Sequence, residues 1–178
     1  MSYFKSSLYD SVKLFLGQIA MAVFGFVTSG ATVSSPLLLL GAGILGILLY
    51  LLIIYDFMWE VGGRDRIRND VSGEKPNFGK PIYIALIANI PNFILSALTL
   101  ISYFGDIPGL YTTSNAILRL IQAVYIGVFK SVVINGMELN ANPFAYTITP
   151  FISVFAVFAV YMLGYKNIKL LPEKKAKK

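Results

Sequence analysis

The sequence contains no cysteine and no histidine. Disulfides, thiolate nucleophiles, imidazole bases and Cys/His zinc sites are thereby excluded, and with them most common catalytic constellations. Charge is scarce too. Only 13% of the 178 residues are Asp, Glu, Lys or Arg, against 56% hydrophobic residues, and an ordinary soluble domain carries about twice that charge. No charged residue occurs from Leu14 to Tyr55, from Pro81 to Gly105 or from Leu139 to Tyr165. A spanning helix needs roughly 20 apolar residues, so these runs have room for two, one and one spans. A cleavable leader pattern is also missing: the first apolar run follows Asp10, is too long for a signal core and closes on no small-residue cleavage site. It is expected to remain as the first anchor.

What charge there is gathers in a few places. The stretch WEVGGRDRIRNDVSGEKPNFGK, Trp59 to Lys80, carries Arg64, Arg66, Arg68, Lys75 and Lys80 with Glu60, Asp65, Asp70 and Glu74. It is expected to lie in water as a loop or compact connector, the preceding helix ending at Gly62 and Gly63 and the alternating charges from Arg64 to Asp70 suiting a short solvated helix of their own. The net charge of +6 comes largely from the tail, where Lys166, Lys169, Lys174, Lys175, Lys177 and Lys178 face only Glu173. Such basicity speaks of anionic lipid headgroups and orientation, whereas nucleic-acid binders place Lys and Arg on a folded soluble face. No nucleic acid, cofactor or metal is expected as a partner. The loop lacks a calcium pattern, since Ile67 stands where a second ligand would be needed, and it has no phosphate loop.

The pattern predicts one integral membrane domain over 1–178, all-α and polytopic, with spans at about 11–33, 36–58, 81–103 and 147–165. Tyr3, Phe4, Leu8 and Val12 share a face of an interfacial lead-in, and Gly25 and Ser29 form a small-xxx-small pair on span 1. Ser35 and Pro36 suit the start of span 2 as cap and first-turn residue. Tyr55 and Trp59 form an interfacial belt with Asp56 just below it. Asp56 is expected to reach water or to pair with Arg64 or Arg66, and it stands four residues from Glu60 on one helical face. An ion or proton ligand is the alternative role, because carboxylates at membrane depth are costly. Asp56, Glu60, Arg64, Asp65 and Arg66 are together the candidate cytoplasmic interface.

Trp59, Gly63, Arg64, Asp65 and Arg66, followed by a short basic loop and a hydrophobic span bearing Pro91, resemble a group of small polytopic membrane proteins of Gram-positive anaerobic bacteria. The resemblance covers about the middle third of the chain and implies a fold type and no activity.

Span 3 holds the segment Asn89-Ile90-Pro91-Asn92, where Pro91 is expected to kink the helix and two amides in hydrocarbon need partners. Gln18 lies at a matching depth in span 1, so Gln18, Asn89 and Asn92 form the candidate polar cluster. From Thr113-Ser114, read as a cap, a helix is predicted over 114–132. Asn115, Arg119, Gln122 and Lys130 make one polar stripe on it. The segment is expected to lie at the interface, or to be re-entrant, with that stripe on water or headgroup phosphates. A five-span alternative would send the tail lysines outside, against the positive-inside rule, so both termini are expected to be cytoplasmic in a cell membrane.

Two functions are compatible with this pattern. One is a non-enzymatic subunit that packs against a membrane partner or a second copy of itself. The other is a small oligomeric transporter or channel with a polar path near Gln18, Asn89 and Asn92. Enzymatic acid–base work would fall to scattered carboxylates without visible partners, and no catalytic residue is assigned.

Overall fold

The computed structural model describes residues 3–73 and 77–170. The basic tail beyond Leu170 and residues 74–76, with Glu74 and Lys75, lie outside the described residues. Within them the chain is all-α apart from one two-residue hairpin, Val133–Ile134 with Met137–Glu138. The helices are α1 (Tyr3–Thr32), α2 (Pro36–Ser72), α3 (Gly79–Ala88), α4 (Ile90–Phe104), α5 (Pro108–Ile121), α6 (Ile126–Ser131) and α7 (Pro143–Tyr165). Three of them, α1, α2 and α7, are long and apolar enough to cross a membrane. The α3–α4 pair makes a fourth if it is taken as one span bent by 61°.

Side-chain contacts fix how the helices run. Arg64 meets Asp10 at 3.2 Å, so the far part of α2 lies beside the start of α1. Tyr50 bonds Ser153 and Tyr161 bonds Asp65, so α7 runs parallel to α2. Lys80 reaches Asp65 as well, which starts α3 at the same end. The start of α1, the far part of α2, the start of α3 and the finish of α7 therefore share one end of the bundle. At the other end lie the α1–α2 turn, the α4–α5 turn and the hairpin.

Glycine sets the spacing of the central seams. A Cβ on Gly43 would sit 2.5 Å from the Val128 nitrogen, and one on Gly127 would sit 2.7 Å from the Gly43 Cα, so α2 and α6 touch backbone to backbone. Gly62 and Gly164 do the same for α2 and α7. Helices that associate in lipid gain from this closeness because dispersion and packing, with little hydrophobic drive, hold them together. Around these seams Leu14, Met21, Tyr50, Ile54, Met58, Ile84, Val157 and Tyr161 build the main apolar core.

Several predicted boundaries move. The helix does not end at Gly62-Gly63; α2 continues to Ser72, where Gly73 closes it at φ 69°. Gly62 is carried inside the helix because a Cβ there would run into the Tyr161 carbonyl of α7. The short helix expected after the two glycines is thus continuous with α2, and most of the loop 59–80 is a helical extension. Ser35 occupies the cap position of α2 but its side chain makes no cap bond. Span 3 breaks outright at Asn89, leaving Pro91 in the first turn of α4, where its missing N–H costs no hydrogen bond. Thr113 and Ser114 cap nothing, since α5 already starts at Pro108, and α7 starts at Pro143, capped by Asn142 on the Phe144 nitrogen.

The helix predicted over 114–132 is interrupted. Gln122 ends α5 at φ −104° and ψ 27°, a 3-10 turn covers Ala123–Tyr125, and α6 then runs back. Val124 lies against Gly25 and Gly46, while Ser131 reaches the Pro36 carbonyl at 3.4 Å, so the segment both enters and leaves at the end holding the α1–α2 turn.

Candidate functional site

Around α4, α5 and the first half of α7 the interior is built the opposite way from that of a water-soluble bundle. Every fully buried residue of α4 is polar: Asn92, Ser96, Thr99 and Ser102. Its exposed large side chains are Ile90, Ile94, Leu98, Ile101, Tyr103 and Phe104. On α5 the buried residues include Ser114 and Asn115 while Ile117 and Leu120 point out, and on α7 Thr149 and Ser153 are buried while Phe151, Ile152 and Phe155 are exposed. In water that arrangement would expose apolar surface and desolvate polar groups, both unfavourable. In lipid it is the stable one, and these apolar helices make the chain compatible with an integral membrane protein.

Three irregularities meet in this half of the bundle. The α3–α4 break is at Asn89, the α5 break at Gln122, and α7 carries Pro150 inside it. Thr99 and Ser114 are 3.2 Å apart, which sets the antiparallel α4–α5 register and brings Asn92 level with Ile121 and Gln122. Thr149 donates to the Gln122 side-chain oxygen, and Phe93 packs edge-on to Phe151 at 5.2 Å. All three breaks therefore lie at one level, around Asn92, Gln122 and Thr149.

The polar groups there are only partly satisfied. Asn89 donates to the Ala85 carbonyl and accepts from Asn92 at 3.0 Å. Asn92 Oδ1, Ser96 Oγ, Gln122 Nε2 and Arg119 Nε are buried without a hydrogen-bond partner. An amide or hydroxyl left so costs about 1–3 kcal/mol. Four such atoms on two packed helices are expensive unless something visits them.

Of the predicted polar cluster, Asn89 and Asn92 are joined directly and both are buried. Gln18 is buried on α1, but no side-chain hydrogen bond links it to either amide among the described residues. Asn89 makes its side-chain bonds to Ala85 and Asn92 instead, and equal depth along two helices says nothing about which way a side chain faces. The predicted stripe also divides. Asn115 and Gln122 turn inward, Arg119 lies over the Tyr146 ring at 5.8 Å, and only Lys130 is exposed. The stripe assumed one unbroken helix, whereas the 3-10 turn advances about 120° per residue and throws α6 out of register. Sequence reasoning missed Ser96, Thr149 and Ser153, whose spacing on α4 and α7 was the available signal.

At the opposite end lies a second polar group. Lys80 donates to both oxygens of Asp65 at 2.7 and 2.8 Å, with Tyr161 adding a third bond at 3.0 Å. Arg64 pairs with Asp10 and, at 3.8 Å, with Glu60, while Arg66 pairs with Asp70 at 3.7 Å. Asp56 is exposed and makes no ion pair among the described residues, so of the two alternatives expected for it the structure has the exposed one and not the pairing with Arg64 or Arg66. Those arginines are taken by carboxylates closer to them. Asp10 Oδ2 is buried and unpartnered, and Asp10 lines a cavity of about 20 Å³, the size that one water needs.

The chain matches no protein-family model, no curated protein and no solved structure. Whatever function it has is therefore argued from the two polar groups themselves.

Proposed function

We propose that the chain is a non-enzymatic multi-pass membrane protein that admits a small polar solute to the level of Asn92, Gln122 and Thr149, as a transporter or channel does. The observation that carries this is the convergence of three helix irregularities on buried polar atoms without partners. Broken helices at membrane depth are tolerated where they line a site or cavity, and in transporters they form the substrate position. In this reading the bent α3–α4 pair crosses as one span and 108–131 is re-entrant, giving four crossings. The end with Arg64, Arg66, Arg68 and Lys80 is cytoplasmic by the positive-inside rule.

Proteoliposome swelling with urea and with sodium formate tests it. Faster entry than in empty vesicles, lost in Asn92→Leu and Gln122→Leu, is the expected result. If the two leucine variants fold with unchanged entry, the polar atoms only pack helices.

A specific observation also favours a subunit role. Beyond Trp59, α2 runs on to Ser72, about 20 Å of helix, with Ile67 66% and Val71 85% exposed one turn apart. Cross-linking from a cysteine at Val71 in native membranes tests this reading, and a product of constant mass across expression levels supports it.

A further inference from the structure

Arg119 is a charge in the wrong company. It makes no ion pair and no hydrogen bond among the described residues, its Nε is buried, and its guanidinium rests over the Tyr146 ring. No carboxylate is within reach by sequence either, because α4, α7, α1 beyond Leu14 and α2 as far as Tyr55 contain none. The two acids at that end, Asp106 and Glu138, sit exposed in the α4–α5 turn and the hairpin and pair with nothing there. Partly desolvated cations in a membrane are normally paired. Among the described residues this one has an aromatic face in place of a counter-ion.

One turn further on, Gln122 supplies another unused donor, Nε2, because its oxygen is occupied by Thr149. Ser96 Oγ, buried on the facing helix at the register of Ile117 and Leu118, is a third group free to donate. The unsatisfied set is thus one positive guanidinium, one amide N–H and one hydroxyl, with Asn92 Oδ1 the single obligate acceptor. Resting on the reading above that the polar level receives a solute, we infer that the occupant is an anion, held by Arg119, Gln122 and Ser96. An anionic group could arrive as a small soluble ion or as a lipid phosphate, since Arg119 is only partly buried and lies between the interior and the hairpin end.

The full chain in detergent is heated in sodium chloride, sodium nitrate or sodium formate against sodium gluconate at equal ionic strength. A saturable rise in Tm of roughly 5 °C at 100 times the dissociation constant is expected with a small anion. It should be lost in Arg119→Gln, retained in Arg119→Lys and unaffected by Lys130→Gln. The same scan in gluconate, in phosphatidylcholine vesicles with and without phosphatidylglycerol, identifies the source. An Arg119-dependent rise with phosphatidylglycerol alone assigns the anion to a headgroup; a rise with chloride in pure phosphatidylcholine assigns it to a free ion. Equal responses in wild type and Arg119→Gln, or none to any anion or lipid, overturn the inference. Urea entry that persists in that case leaves the solute reading standing, so the two fail separately.

Discussion

Lys80 shows how one side chain can hold an end of this bundle together. It is 6% exposed, and its bonds to Asp65, itself bonded by Tyr161, join α2, α3 and α7 in one group. Removing one partner of a buried pair leaves the other charge desolvated, at about 3–5 kcal/mol. Lys80→Met should therefore lower stability in detergent by about 3 kcal/mol, whereas Arg66→Met, whose pair with Asp70 is exposed, should change it by less than about 1 kcal/mol. Thermal unfolding of the two variants side by side checks the contrast; similar losses would mean that Asp65 is hydrated. Sequence gave no hint of this group beyond its charges. Asp65 and Lys80 were visible as members of a mixed stretch, but their burial depends on α7 passing alongside, which no local pattern encodes.

At the scale of the helix, glycine and polar spacing decide what packs where. Gly127→Ala should be strongly destabilising because the added methyl meets the Leu39 carbonyl and Gly43 at 2.7 Å, while Gly30, with nothing within 4 Å, should tolerate Ala or gain up to about 1 kcal/mol from helix propensity. Unfolding in mixed micelles reads both; a neutral Gly127→Ala would show the α2–α6 seam to be looser than described. The spans were legible from charge-free runs and the polar level from Asn89 and Asn92, since both rest on local composition. The break at Gln122 was not, because nothing between Ala116 and Ile126 stops a helix by propensity, and tertiary contacts with Gly25, Gly43 and Thr149 impose it. With the stripe divided and its α5 part turned inward, Arg119→Leu together with Lys130→Leu should leave topology unchanged. A shift of the 133–138 hairpin to the other side of the membrane, seen by cysteine mapping, would show that the stripe faces water after all.

For the whole molecule the decisive quantity is which end faces the cell interior. The absence of cysteine makes single-cysteine mapping clean. Ser72→Cys, at the tip of α2, should resist an impermeant thiol reagent in intact cells, and Met137→Cys, exposed in the hairpin, should react. The reverse pattern would invert the orientation, and labelling of both or neither would rule out opposite sides.

The pairing of Gln122 with Thr149 also has a consequence in time. The 108–131 segment emerges from the ribosome before α7 does, yet the side-chain oxygen of its buried Gln122 takes its hydrogen bond from a hydroxyl on α7. Until that last helix arrives, Gln122 and Arg119 have no reason to leave the headgroups, and the backbone contacts at Gly25 and Gly43 cannot hold the segment alone. Biogenesis should therefore proceed with α1 and α2 inserted first and the 108–131 segment folding inward last. A chain stopped at Asn142 and carrying Ala123→Cys should react with impermeant reagent, where the full chain with the same cysteine, next to an intact Gln122, is protected.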